Sequence, residues 1–438
     1  MKVFNGLRLL VSIIMLSALL TACGGSDANE DPDADAQVPV NTKPAELVFY
    51  SSSGDTPESF NQRFGDPIRK KFPHYTITYI QMKQGTFFPE LLASGQTVDI
   101  FWDSVGTFSS NIVNYEMNYD MSGMIKKYKV DLGRFDPVPL DAVRSFSNGG
   151  IYGLPVFNNN MVLYYNKDLF DKFGFPYPKD GMTWDEVNEL AKKFDRVEDK
   201  VSYSGLSISP KHLLRMNNLS EQFADPSTHK HTLDTDKWKK LFETYYVTPG
   251  TNPIMKQKTT KLSRAPFVDE FFKEKSIAMF PYLSNAPTNV PEFFRPMNWD
   301  MVSFPVFKEL PGVGSQAYPT YFGITAQSKE KDAAMEVIKY LTSDEYQLEY
   351  SKKGVMTVLK DQAILDAYGT ETEFRDHNLR AVYSTKFAPI SKKTIYDEAI
   401  LSVLSSQAKN LVNGTMDVNT FIRTTGEEAQ KQIDAMKK

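Results

Sequence analysis

The chain has 438 residues, 41% hydrophobic and 24% charged, with 50 basic against 54 acidic side chains. That balance excludes global disorder, and a formal charge of -4 supplies no basic field for holding nucleic acid. A single cysteine excludes an internal disulfide and any multi-thiolate zinc or iron-sulfur centre, while the length favours two or three units of about 150 residues.

The first element is an export signal. Lys2 and Arg8 form a positive start, and an apolar stretch follows from Leu9 to Leu20, interrupted only by Ser12 and Ser17. It is shorter than the roughly 20 residues a membrane-spanning helix needs. Leu20-Thr21-Ala22-Cys23-Gly24 then resembles the bacterial lipobox, which implies removal of residues 1–22 and lipidation of Cys23. Two acyl chains, at about 0.8 kcal/mol per buried methylene, would hold the mature chain on a membrane surface. Residues 23–45 are acidic and poor in large apolar side chains, and read as a flexible tether. Asp31, Asp33 and Asp35 do not make a calcium loop, since Ala36 and Thr42 stand where glycine and glutamate are required.

Beyond the tether the pattern predicts a strand at Leu47–Tyr50 and a helix over Glu58–Phe72, with Phe60, Phe64 and Ile68 on one face. A strand at Thr76–Gln81, a helix at Phe87–Ala93 and a strand at Val98–Trp102 follow. A β-α-β-α-β run implies a parallel sheet covered by helices, with ligand beyond the carboxyl ends of its strands. Two polar segments occupy that position, Ser51–Asp55 after the first strand and Asp103-Ser104 after the third. A second block opens at Asn148–Pro155, followed by a strand at Met161–Asn166. Thr183-Trp184-Asp185-Glu186 has the pattern of a capping box, with Trp184 packed between helix and sheet. A later strand is expected at Ser276–Phe280.

Several of these segments, in order, carry a likeness. Tyr152-Gly153-Leu154-Pro155, Tyr164 to Phe170 and Thr183 to Glu186 are similar to the signature region of the bacterial extracellular solute-binding proteins of family 1, relatives of maltose-binding protein. Ala93-Ser94-Gly95 with Val98–Trp102, Phe272 to Met279, Trp299 to Pro305 and Gly323-Ile324-Thr325 resemble further family elements, although Val98 replaces the usual proline and Glu274 or Lys275 the usual glycine. The likeness covers nearly all of residues 46–438.

The resemblance implies an α/β, two-lobed periplasmic-binding-protein-like fold of the type II, cluster D kind, with solute held between lobes joined by a hinge. It places one lobe at 46–150 plus 316–365 and the other at 151–315 plus 366–438. It implies a lipid-anchored receptor on the extracellular face of the membrane. That receptor would be a monomer capturing a carbohydrate, in all expectation an oligosaccharide, for an ABC transporter permease, and not an enzyme.

A sugar needs fixed donors and acceptors for its hydroxyls and an aromatic ring for its C–H face. Trp102 and Asp103 at the end of the third strand, and Ser53 and Asp55 in the first loop, match family positions of that kind on one lobe. Asn158, Asn159 and Asn160 after the glycine-rich crossing, with Tyr282 and Asn285 after the later strand, are the counterparts on the other. A plain turn, helix cap or core position is the competing reading for each.

The five histidines, of which only His229 and His231 are close, give no metal-ligand spacing. No phosphate loop, nucleophile elbow or dinucleotide fingerprint is present, so no cofactor is expected. A pair among 54 acids could still serve a glycosidase. A surface carbohydrate-active enzyme and an adhesive lipoprotein therefore remain the alternatives.

Overall fold

A computed structural model describes residues 42–437; the expected signal segment, Cys23 and most of the tether lie outside them. The chain builds two five-stranded sheets, each covered by helices. The first has the order Tyr75–Gln81, Ala45–Ser51, Ile100–Ser104, Thr320–Ile324, Leu154–Phe157. Its first three strands are parallel and Thr320–Ile324 runs antiparallel to both neighbours. Leu47, Phe49 and Tyr50 are fully buried, as a central strand covered on both faces requires. Ala45, placed at the end of the tether by sequence, already pairs with Tyr75.

The second sheet has the order Trp299–Ser303, Met161–Asn166, Ile277–Leu283, Val201–Leu206, Arg196–Glu198. Met161–Asn166 is buried at every position and lies antiparallel to both its neighbours. Ile277–Leu283 runs parallel to Val201–Leu206. Trp299 closes this core, with Phe294 at 4.8 Å and His377 at 4.1 Å between ring centres. Trp184 is buried as expected, and the capping box forms in full: the Glu186 N–H donates to Thr183 Oγ1 at 3.2 Å and the Thr183 N–H to Glu186 Oε2 at 2.7 Å.

Two expectations shift. The third strand runs Ile100–Ser104, so Asp103 is a strand residue opposite Tyr321 and not the loop that follows. Tyr282 likewise lies within Ile277–Leu283. Leu154–Phe157 belongs to the first sheet, and the chain leaves that sheet at Asn158. Gly153 and Gly323 make this junction close: a Cβ on Gly323 would meet the Tyr152 carbonyl oxygen at 2.4 Å, and one on Gly153 would meet Phe108 Cζ at 2.8 Å.

The helix expected over Glu58–Phe72 forms as Pro57–Phe60, a π-turn at Asn61–Gly65, and Asp66–Lys71. Pro67 is the cause, since it has no N–H to donate to the carbonyl four residues earlier. That carbonyl, of Arg63, accepts instead from the Tyr346 hydroxyl at 2.7 Å, and the Gln62 carbonyl accepts from Tyr350 at 2.9 Å. Among the described residues no helix is long and apolar enough to cross a membrane.

Candidate solute-binding cleft

Residues 158–160 carry the chain from Leu154–Phe157 of the first sheet to Met161–Asn166 of the second, and residues 304–319 carry it back from Trp299–Ser303 to Thr320–Ile324. A cavity of about 480 Å³ opens there, with Glu58, Ser59, Gln62 and Arg63 on the first-sheet side and Asn285, Thr288 and Asn289 on the other. The π-turn directs Arg63 into this wall. Its guanidinium lies 2.9 Å from Asp55 and over the rings of Phe64, Phe157 and Trp102, at 4.8, 5.1 and 5.7 Å. Asp55 is thus held at the cleft, and its carbonyl accepts from the Tyr79 hydroxyl at 2.9 Å. Ser53 is exposed in the same loop, its Oγ accepting from Ser51 Oγ at 2.9 Å.

Trp102 is 3% exposed and stacks on Phe322 at 5.6 Å and 9°. It meets the cavity wall only through Arg63, and its indole N–H has no partner among the described residues. Asp103 is equally buried and accepts from the Ser52 hydroxyl, the Ser104 N–H at 3.0 Å and Asn111 Nδ2 at 3.4 Å. Burial pushes its carboxyl up to about 6, against those hydrogen bonds. Asp103, expected to accept from sugar hydroxyls or to cap a helix, lies beneath the first loop and braces it through Ser52.

The three asparagines are buried, at 3–4% exposure. Asn158 joins the Met356 carbonyl through its N–H at 2.8 Å. Asn159 Oδ1 accepts from Ser284 Oγ at 2.6 Å, the Asn160 N–H at 2.9 Å and the Asn285 N–H at 3.3 Å. Asn160 Nδ2 donates to the Val382 carbonyl at 2.8 Å, while its Oδ1 has no partner among the described residues. The amides expected to face solute instead tie the crossing segments together. Asn285 lines the cavity, while half-buried Tyr282 stacks on Phe280 at 4.7 Å and meets Phe267 and His212 edge-on at 5.5 and 5.2 Å. Burial lowers His212 to about 3, with Arg215 and Lys211 adding to the effect, so the ring is neutral; its Nδ1 lies 2.7 Å from Ser209 Oγ.

Sequence reasoning missed the group that joins the two sides. The Tyr318 hydroxyl, on the second crossing, accepts from Ser104 Oγ at 2.8 Å and from Arg215 Nη1 at 2.9 Å. Arg215 Nη2 donates to Glu398 on the helix Asp397–Val412, which also packs against helix Val105–Asn114. No local pattern marks these residues; the only signal was the proline-rich break at 311–319 in which Tyr318 lies. Among the described residues no three His, Cys, Asp or Glu side chains gather to hold a metal ion. The arrangement offers hydroxyls, amides and paired charges around a neutral space, which suits a polyhydroxylated solute.

A model of the bacterial extracellular solute-binding protein family matches residues 50–348. The fold is similar to that of an ABC substrate-binding protein from Listeria monocytogenes in complex with cycloalternan, at 19% identity and a TM-score of 0.72 over 90% of this chain and 100% of that one. It is also similar to a sugar transporter protein from Rhizobium etli in an open conformation, at 19% identity and TM-score 0.67 over 89% and 99%. A cyclic α-maltosyl-1,6-maltose binding protein from Arthrobacter globiformis aligns at 16% identity and TM-score 0.66, over 90% and 100%.

Proposed function

The chain belongs to the bacterial extracellular solute-binding proteins, and from that premise we propose that it captures a carbohydrate, an oligosaccharide in size, and delivers it to an ABC transporter permease. The observation that carries this reading is the family match over residues 50–348, which spans strands of both sheets and the cleft between them. Solved structures of similar fold hold cycloalternan or are named for a cyclic maltosyl-maltose. Ser53, Asp55 and Arg63 from one wall, and Tyr282 and Asn285 from the other, are the side chains assigned to the sugar; Trp102 and Asp103 support the first wall from beneath. Binding across both walls favours closure because the ligand touches more of the closed form than of the open one.

Titration calorimetry with a panel of linear and cyclic oligosaccharides tests this reading. One saturable ligand, recovered unchanged after incubation, is the expected result. Binding confined to peptides or metal ions would overturn the sugar assignment, and product formation would move the protein to the carbohydrate-active enzymes.

The receptor is further assigned to the extracellular face of the cell membrane, held by a lipid on Cys23 and acting as a monomer. Cys23→Ser should shift the protein from the membrane fraction to the medium; retention in the membrane would remove the anchor from the proposal.

A further inference from the structure

The second sheet has a far end. Ile277–Leu283 finishes at the cleft and its parallel neighbour Val201–Leu206 starts further back, Ser204 pairing with Ile277, so the first residue of Ile277–Leu283 lies about 20 Å from the cleft and Val201 further still, at a rise of roughly 3.3 Å per residue. At that end a second cavity, of about 390 Å³, opens between the turn at Lys200, the helix Pro253–Leu262 and the segment Glu270–Ser276. Lys200, Lys258 and Lys261 line it together with Glu270 and Glu274.

The charges there do not cancel. Glu270 is buried and spent: Arg264 donates to both its oxygens at 2.9 Å, and the Phe267 N–H donates to Oε2 at 2.7 Å. Glu274 is exposed at the rim and accepts from Ser276 Oγ at 3.3 Å. Lys258 Nζ donates to Ser276 Oγ at 2.9 Å and forms no ion pair among the described residues. Three ammonium groups therefore face one available carboxylate, and the innermost of them is half-buried with a hydroxyl as its partner.

The third lysine is held at a conformational cost. Asp199 and Lys200, with φ of 49° and 67°, are consecutive left-handed residues closing the two-residue turn between Arg196–Glu198 and Val201–Leu206. Such turns favour glycine or asparagine, and a side chain there costs about 1 kcal/mol or more per residue. The turn carries Lys200 to the mouth of the cavity. Beside it Val201, 37% exposed, lines the cavity wall.

We infer that this cavity is a binding site for a phosphate group, with Lys258 as the inner donor and Lys200 and Lys261 at its mouth. An ammonium is a compact charge with three donors, suited to the oxygens of a phosphate monoester or diester. The volume leaves room for the group that the phosphate carries, and Val201 offers it an apolar contact.

The test uses the full chain as Cys23→Ser, so that no acyl chain contributes. One arm is calorimetry with inorganic phosphate and glycerol phosphate; the other is co-sedimentation with vesicles of phosphatidylglycerol in phosphatidylcholine, against phosphatidylcholine alone. Saturable binding in the first arm identifies a free phosphate compound, and binding in the second alone identifies a lipid headgroup. In whichever arm binds, Lys258→Met should weaken it about tenfold, as loss of one charge-assisted hydrogen bond predicts. Glu274→Gln should tighten it by about threefold, a gain that misfolding cannot produce. No binding in either arm, or binding indifferent to both substitutions, overturns the site. Oligosaccharide affinity serves as the control and should be unchanged in both variants.

Discussion

Arg215 Nη1 donates to the Tyr318 hydroxyl at 2.9 Å, joining a cation beside the second sheet to a crossing segment that also holds Ser104 of the first. Gly106 makes the approach possible, because a Cβ there would stand 2.7 Å from Arg215 Cδ. Gly106→Val should displace Arg215 and weaken solute affinity about tenfold, the equivalent of one charge-assisted hydrogen bond. Arg215→Met should act in the same direction. Calorimetry on both variants checks this; unchanged affinity in both would show that the Ser104–Tyr318–Arg215 chain does not couple to binding.

Asp103 gives stability a pH dependence of defined sign. Its folded value of about 6 lies above the unfolded value near 3.9. Between those values the native chain holds more protons than the unfolded one, so this group's stabilisation is present at low pH and is lost as pH rises from about 4 to about 6. Asp195 and Asp397, also raised to about 6 chiefly by burial, add terms of the same sign. Asp103→Asn removes one contribution, on the order of 2 kcal/mol. Urea melts at pH 4.5 and 7.5 should show the variant gaining on the wild type at the higher pH. An equal difference at both values would contradict the assignment.

Asn159 holds three donors with one oxygen. Asn159→Ala strands the Asn285 N–H and leaves the Asn160 N–H and the Ser284 hydroxyl with only longer partners, Ser284 Oγ at 3.4 Å and Met356 Sδ at 3.6 Å, at about 1–3 kcal/mol for a stranded group. Chemical denaturation should show a loss of about 3 kcal/mol. A loss below about 1 kcal/mol would mean that other contacts hold the crossing.

Trp102 separates ring from nitrogen. Its N–H has no partner among the described residues, whereas its ring lies between Phe64 and Phe322. Trp102→Phe should change stability by less than about 1.5 kcal/mol, and Trp102→Ala should cost about 3–5 kcal/mol. Comparable losses in the two variants, measured by urea melts, would show that the indole nitrogen matters to the fold.

Local chemistry was legible in the chain and long-range chemistry was not. The Thr183–Glu186 box is complete within four residues and could be read directly. The end of the third strand could not, because Asp103 and Ser104 become strand only when Tyr321 and Thr320 arrive beside them. Asn160 has the right groups for a sugar, but the carbonyl of Val382, 222 positions later, claims its amide. Arg63 reaches the cleft because Pro67 breaks the helix and the Tyr346 hydroxyl donates to the carbonyl left unpaired, a geometry that helical periodicity conceals. Tyr318, Arg215 and Glu398 converge from three separate segments, and no spacing announces them.

Thr320–Ile324 lies between Ile100–Ser104 and Leu154–Phe157, and Ser328 bonds to Asp99 at a separation of 229 positions. The order of synthesis then matters. A growing chain has three parallel strands early but lacks the strand that joins them to the fourth until most of its length is made, and such non-local closure is slow. Completion of the first sheet therefore waits for Thr320–Ile324, and Ile100–Ser104 keeps an open edge until that strand arrives.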